Sequence, residues 1–355
     1  MSNTMRHNRP LRLVGNTATA QAFPQHTTVV RENYVGASLQ ATALAASLRL
    51  TVRPLLSVWA KWPHLPWPTG LVDLAGSALP PVPGTRYRPV QLPQCKAEWI
   101  RAEDVTTHRV VLYLHGGAFV TCGLRTHRRM VSLISASAQS PVLSVDYRML
   151  PRHTINHAIE DGVSAYRWLL RRGYRPDQIV IGGDSAGGYL TFMVTLALRS
   201  QGLPVPAGLV ALSPLTNLNP ASKLAHENAN KCALFAADVL NVFTEYADRV
   251  EQRLLIDGTP GPRVCPVESD LSGMPPTLLQ VGSTEMLFSD SEMMADRLSH
   301  FGVPCHLQVW ERQVHVFQAA AGLVPESSRA IREIGRFVRD AVPVQSLNRS
   351  RSRLG

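Results

Sequence analysis

Apolar positions change their period along the chain. Residues 1–36 show weak periodicity and read as loose. From Leu44 onward, apolar side chains recur at helical spacing through Leu48, Val52, Leu55 and Trp59. This predicts an amphipathic helix, ended or kinked near Pro54. Such helices most often pack on the main body; a lid over an apolar site or a membrane-resting face are the rarer readings. Prolines then stand at 63, 66, 68, 80, 81 and 83. With no amide donor and a fixed φ, they predict an irregular connector over 63–84.

From residue 86, short β-rich runs alternate with helical patterns. Val110–Leu114, Val142–Val145, Ile179–Ile181, Leu209–Leu212, Leu278–Val281 and Leu307–Trp310 read as buried strands. Helical patterns lie near 127–138, 157–172, 186–201, 289–301 and 326–341. The alternation predicts an α/β fold with a mostly parallel central sheet and helices on both faces. Residues 218–265 interrupt the rhythm with a helix-like stretch, Ala233–Tyr246, and a Gly/Pro turn, Asp257–Pro262. This stretch reads as an insertion that adds a second piece to a helical cap. The expected organisation is a cap region and connector over 1–84, a main domain over 85–345 with the insertion near 218–265, and a basic tail over 346–355.

Composition narrows the classes. Of 355 residues, 45% are hydrophobic and 17% charged, and mean hydropathy is −0.03, values that exclude a disordered chain. No run of 18 or more apolar residues lacks a charge, so no transmembrane helix is expected. The net charge of +10 sits mainly in the ends, with +5 over residues 1–53 and +3 over 349–355. That distribution gives no basic groove for a nucleic acid. Solvated tails are the simpler reading of the basic ends, and peripheral contact with a membrane surface stays open. The cysteines are Cys95, Cys122, Cys232, Cys265 and Cys305, an odd number without close spacing. They disfavour a disulfide framework and a CxxC zinc site and suggest a reducing, cytoplasmic setting. The segment MSNTMRHNRPLRLV lacks the apolar run of a secretory signal.

Three segments carry chemistry. Gly183-x-Ser185-x-Gly187 follows a β-run and precedes an apolar helical run. It has the form of a strand–turn–helix elbow that exposes a serine nucleophile. A phosphate loop is excluded by the absence of GK[ST], and a dinucleotide fingerprint by the spacing. His115-Gly116-Gly117-Ala118-Phe119 directly follows the strand Val110–Leu114. Amides of Gly116 and Gly117, with that of Ala186, could receive a developing oxyanion. His115 then reads as a hydrogen-bonded structural residue. Downstream, Glu285 closes the run Leu278–Gly282, and His315 stands just past Leu307–Trp310. The order Ser185, Glu285, His315 is that of nucleophile, acid and base. Asp290 is the rival acid, and reads instead as the cap of the next helix.

These motifs resemble the hormone-sensitive-lipase-like esterases of the α/β-hydrolase fold, the bacterial branch in particular. The likeness rests on the two glycine segments, Arg125-Thr126-His127-Arg128, Asp146-Tyr147-Arg148 with Pro151, Gly282-Ser283-Thr284-Glu285, and His315-Val316-Phe317. It implies a carboxylic-ester hydrolase with the triad Ser185, Glu285 and His315, oxyanion donors at Gly116, Gly117 and Ala186, and a cap from the N-terminal helices plus a later insertion. It also implies a small-molecule ester of short or medium acyl chain and no cofactor. Ala118 stands where a third glycine is common, Glu285 where many relatives have Asp, Cys122 where glycine is usual and Arg152 where a carboxylate is usual. His153 and His157 have a spacing that can bind a metal, but no third ligand is evident and the inferred chemistry needs none. The alternatives are a lipase working at a membrane surface on longer-chain esters and a non-catalytic receptor on the same fold; the presence of His315 speaks against the receptor.

Overall fold

All six apolar runs become strands of one sheet in the computed structural model, which describes residues 29–254 and 264–343. In chain order the first half runs β1 (Val29–Tyr34), α1 (Leu39–Leu50), α2 (Val52–Lys61), α3 (Gly70–Ala75), β2 (Arg86–Gln91), β3 (Lys96–Arg101), β4 (Val110–Leu114), α4 (Leu124–Ala138), β5 (Val142–Asp146) and α5 (Ile155–Arg171). The second half runs β6 (Ile179–Asp184), α6 (Ala186–Ser200), β7 (Gly208–Leu212), α7 (Ala221–Ala225), α8 (Asn228–Lys231), α9 (Ala237–Leu254), β8 (Thr277–Gly282), α10 (Phe288–His300), β9 (Cys305–Trp310) and α11 (Pro325–Ala341).

The nine strands lie in the order β1-β9-β8-β7-β6-β4-β5-β3-β2. Only the pairs β2–β3 and β3–β5 are antiparallel. Successive residues of a strand point to opposite faces, and both faces are covered. Val110, Leu112 and Leu114 of β4 pack with α5 and α6. Val111 and Tyr113 pack on the other side with α4 and α11. That double burial explains why the central strands read as unbroken apolar runs.

The edges were less legible. The stretch expected to be loose over 1–36 contains β1, which pairs in parallel with β9. Its polar residues are half-buried or exposed, so it carries no apolar run, and it is held by Tyr34 stacking on Trp310 at 3.8 Å. Strands β2 and β3 were not anticipated. They form an antiparallel edge, with Pro89 on the outermost strand, where a missing amide is tolerated. The connector over 63–84 holds α3 and a short 3₁₀ turn, Gly76–Ala78. Here Asp73 supplies the order, because its Oδ1 accepts from the amides of Arg125 and Thr126, each at 2.9 Å. A carboxylate at the start of α4 satisfies amides that the helix leaves unpaired.

The helix expected over Leu44–Trp59 is two helices broken at Thr51, with Pro54 in the first turn of α2, where proline is tolerated. Ser38 caps α1 and is itself bound by Glu326 of α11, which accepts from its amide at 2.6 Å and its hydroxyl at 2.8 Å. Leu44, Ala45 and Leu48 pack on the cluster around Trp310 and Phe317. α2 instead meets α9 of the insertion, where Trp59 and Tyr246 lie edge to face at 6.0 Å. The helix expected over Ala233–Tyr246 starts at Ala237 and runs on to Leu254. The turn Asp257–Pro262 and the basic tail lie outside the described residues.

Helices α4 and α11 approach so closely that a Cβ on Gly335 would collide with the backbone of Ser137. Gly335→Ala should therefore destabilise the fold by about 1–3 kcal/mol, the usual cost of overpacking. Thermal unfolding of the variant checks this; an unchanged midpoint would mean the two helices separate freely.

Candidate active site

Parallel strands release their C-terminal ends on one side of the sheet, and chemistry-bearing residues gather there. β4 leads into His115–Phe119, β6 into Ser185, β8 into Glu285 and β9 into His315. In register, Leu114 lies beside Gly183, Asp184 beside Leu212, and Gly282 beside Trp310. The four segments therefore leave the sheet at the same height.

Ser185 sits at φ 53° and ψ −117°, a strained backbone for a residue with a Cβ. The turn is clamped on both sides: Ser185 N–H donates to Leu212 O at 2.9 Å, and Leu215 N–H donates to Ser185 O at 3.0 Å. Gly187 is required because a Cβ there would strike the carbonyls of Leu114 and His115. The serine is half-buried, and its hydroxyl makes no hydrogen bond among the described residues.

Glu285 and His315 meet directly. Nδ1 of His315 lies 2.6 Å from Glu285 Oε2. The other oxygen, Oε1, accepts from the Ser213 hydroxyl at 2.8 Å and from Gly282 N–H at 2.6 Å. Glu285 is 1% exposed and His315 7%, so this pair is shielded from water. Phe235, from the insertion, lies edge-on to the imidazole at 5.0 Å. Asp290, the rival acid, is elsewhere. It is buried in α10 and does not cap that helix; its Oδ2 accepts from Thr216 and Asn217 amides, and Lys223 Nζ donates to Oδ1 at 3.0 Å.

The expected oxyanion donors need one correction. Gly116 is buried and its amide donates to Asp184 Oδ1 at 3.0 Å, so it is not free for a substrate. The reason is steric and electrostatic: that carboxylate draws the backbone inward so tightly that a Cβ on Gly116 would collide with it. The next two residues are half-exposed, and the chain curls at positive φ through Gly117 (119°), Ala118 (54°) and Phe119 (58°). The amides of Gly117, Ala118 and Ala186 have no hydrogen-bond partner among the described residues.

Asp184 had passed in the sequence as part of the glycine motif. It is 2% exposed and accepts from Tyr113 Oη at 2.8 Å, from Gly116 N–H, and from His127 Nε2 at 3.1 Å. Burial pushes its carboxyl up, but His127 and the hydrogen bonds outweigh that and leave it below its usual value. Burial likewise pushes His127 down, and Asp184 with the Gly123 carbonyl outweighs it, leaving it above 6.5. Below the raised pKa of His127 the two form a buried ion pair. His115, as expected, is structural: Nδ1 binds Gly116 O at 2.7 Å, the ring stacks on Tyr147 at 4.3 Å, and burial lowers its pKa to about 4. His157, considered as a metal ligand, caps its own helix, its Nδ1 accepting from the Thr154 amide at 3.1 Å.

Two further residues carried no sequence signal. Ser213, at φ 44°, donates to Glu285 and accepts from Val316 N–H at 3.0 Å. Asn228, in the insertion, donates from Nδ2 to Ser283 O at 2.9 Å and Glu285 O at 3.1 Å, tying α8 to the acid loop. Only the Ser-Pro step after an apolar run could have pointed to Ser213.

A family model described as the alpha/beta hydrolase fold matches residues 111–319, which contain every segment of this site. The chain belongs to the α/β-hydrolase family. It is 43% identical over 296 residues to Esterase LipU of Mycobacterium tuberculosis, covering 82% of this chain and 99% of that one. It is 40% identical over 317 residues to Carboxylesterase/phospholipase LipF of the same organism, covering 88% and 85%. Among solved structures, an esterase from the bacterial hormone-sensitive lipase family superposes with a TM-score of 0.74 at 32% identity, covering 87% of this chain and all of that one. A crystal of EstE5 soaked with p-nitrophenyl butyrate superposes with a TM-score of 0.75 at 31% identity and the same coverage. These likenesses place this α/β-hydrolase in the bacterial hormone-sensitive-lipase-like branch.

The buried pair beside the serine has a pH signature. His127 is raised, so its contribution to stability is complete below pH 6.5 and is lost as pH rises through its folded pKa. Asp184 is lowered, so its contribution is present above pH 3.8 and is lost as pH falls through its folded pKa. Asp184→Asn should cost about 3–5 kcal/mol in mildly acidic buffer, by stranding one partner of a buried pair. The difference from wild type should shrink at alkaline pH. Urea unfolding of both proteins across pH measures it, and a pH-independent difference would contradict the ion pair.

Proposed function

We propose that this α/β-hydrolase is a serine carboxylesterase that cleaves short- to medium-chain carboxylic esters through an acyl-enzyme, with Ser185 as nucleophile, His315 as base and Glu285 as acid. The observation that carries the reading is the 2.6 Å contact between His315 Nδ1 and Glu285 Oε2, past the ends of β9 and β8, with a serine held on a strained turn at the same end of β6. A carboxylate on Nδ1 leaves Nε2 of the neutral ring as the proton acceptor.

The steps follow. Ser185 Oγ attacks the ester carbonyl as His315 Nε2 takes its proton, and the C=O electrons move onto the oxygen. Amides of Gly117, Ala118 and Ala186 stabilise that oxyanion. Collapse breaks the C–O bond to the alcohol, which leaves with the proton from imidazolium. Water then repeats the sequence on the acyl-serine, releasing the carboxylic acid and restoring the hydroxyl. Glu285 holds the ring and balances its transient charge, and its second oxygen is kept in place by Ser213 and Gly282. The serine–histidine hydrogen bond forms when substrate enters, as is common in resting enzymes.

The short- to medium-chain assignment draws support from the relatives' names and from a solved neighbour soaked with a butyrate ester. Residues 39–79 and 218–254 serve as a two-part cap, supported by the α2–α9 contact and by Phe235 against His315. The unpaired thiols Cys95, Cys122, Cys232, Cys265 and Cys305 support a cytoplasmic, reducing setting. No described helix is long and apolar enough to cross a membrane, so membrane contact by these residues would be peripheral.

Ser185→Ala should lower kcat on p-nitrophenyl butyrate by at least about a thousandfold while the fold persists. Retained turnover in that variant would remove the triad. In a series from acetate to palmitate, kcat/KM should peak at short or medium chains; a maximum at palmitate would replace the esterase reading with a lipase.

A further inference from the structure

The outer face of the N-terminal helices carries apolar side chains where a surface helix carries polar ones. Ala60 of α2 faces inward and Trp59, half-buried on the flank, meets Tyr246 of α9, whereas Leu55, Val58 and Trp62 form an exposed stripe at i, i+3 and i+7. Leu55 is 59% exposed, Trp62 55% and, in α3, Leu71 57%. Leu65, Val72, Leu74 and Leu79 continue the exposed set, and outside 39–79 such residues are scattered. Concentrated exposed apolar area of this kind marks an interaction surface.

Charge selects the occupant. Residues 33–72 contain no Asp or Glu, but hold Arg49, Arg53, Lys61 and His64. At the same edge, His64 meets α9 across a cavity of about 400 Å³ that is also lined by Tyr246, Arg249, Gln252 and Arg253. A second copy of the chain docking by this face would set cation against cation. Residues 1–28 are equally unsuited, since they contain Arg6, Arg9 and Arg12 and no acid. An apolar α2 stripe with no acid of its own, a cationic rim and an exposed tryptophan matches the interface of an anionic bilayer.

We propose that α2 and α3 form a docking surface for anionic phospholipid membranes, with Leu55, Val58, Trp62 and Leu71 entering the headgroup boundary and Arg53, Lys61 and Arg253 meeting phosphates. Its purpose rests on the ester-hydrolase reading, because it would hold the cap against the phase in which apolar esters dissolve. The contact itself needs no catalysis, so the two can fail separately.

The test is co-sedimentation of the full chain with vesicles of phosphatidylcholine alone, or with an equal part of phosphatidylglycerol. Partitioning onto the anionic vesicles should be at least about tenfold stronger and should weaken as salt is raised. Ser185→Ala protein should bind equally well. Leu55→Asp with Trp62→Asp, and separately Arg53→Glu with Lys61→Glu, should each lower binding about tenfold or more, as expected for lost insertion or lost charge. Circular dichroism and thermal unfolding of these exposed-site variants should match wild type. No binding to either vesicle, equal binding to both, or variants that bind like wild type would overturn the proposal. So would a dimer in sedimentation velocity that the Leu55→Asp, Trp62→Asp protein loses, because the occupant would then be a second copy.

Discussion

Beside the serine, the carboxylate of Asp184 takes hydrogen bonds from three directions: the β4 tyrosine Tyr113, the amide of Gly116 and the α4 imidazole of His127. An ionised group this deeply buried is tolerated only when paired and fully hydrogen-bonded. The three donors come from the strand, the loop and the helix that precede the elbow in sequence, so one carboxylate joins all three to the elbow. By occupying the Gly116 amide it also leaves the amides of Gly117 and Ala118 as the unpaired ones of the following turn.

On the other side of the serine the organising group is again a saturated carboxylate. Glu285 binds His315 with one oxygen and Ser213 and Gly282 with the other. Ser213 passes the constraint on to Val316, the residue after the histidine. Asn228 and Phe235 then bring the insertion into the same arrangement, one on the acid loop and one on the imidazole. Residues between β7 and β8 thus touch Glu285 and His315 directly. A shift of α8 would be felt at Glu285 through the Asn228 side chain.

The N-terminal helices show where a periodicity argument goes astray. Leu44, Leu48, Val52, Leu55 and Trp59 read as one buried stripe. The break at Thr51 rotates α2 relative to α1, so that Leu44 and Leu48 pack on the main body while α2 meets α9 through Trp59 and leaves Leu55, one turn earlier on the same face, exposed. Apolar spacing reports which residues share a helix face. It does not report whether water, protein or lipid lies against that face.

The chain's own pattern determined the six central strands, their alternation with helices and the identity of the serine, histidine and glutamate segments, because burial on both faces and a crowded strand–helix turn each demand a restricted set of residues. Tertiary structure alone decided the edge strands, whose polar alternation resembles a loop until β9 or β5 supplies a partner. It also decided the part played by Asp184 and the loss of Gly116 as a free donor, because a carboxylate's protonation and an amide's availability depend on atoms dozens of residues away. Ser213 and Asn228 belong with these: a hydroxyl and an amide among many, they gain meaning only where β7 and α8 bring them against Glu285.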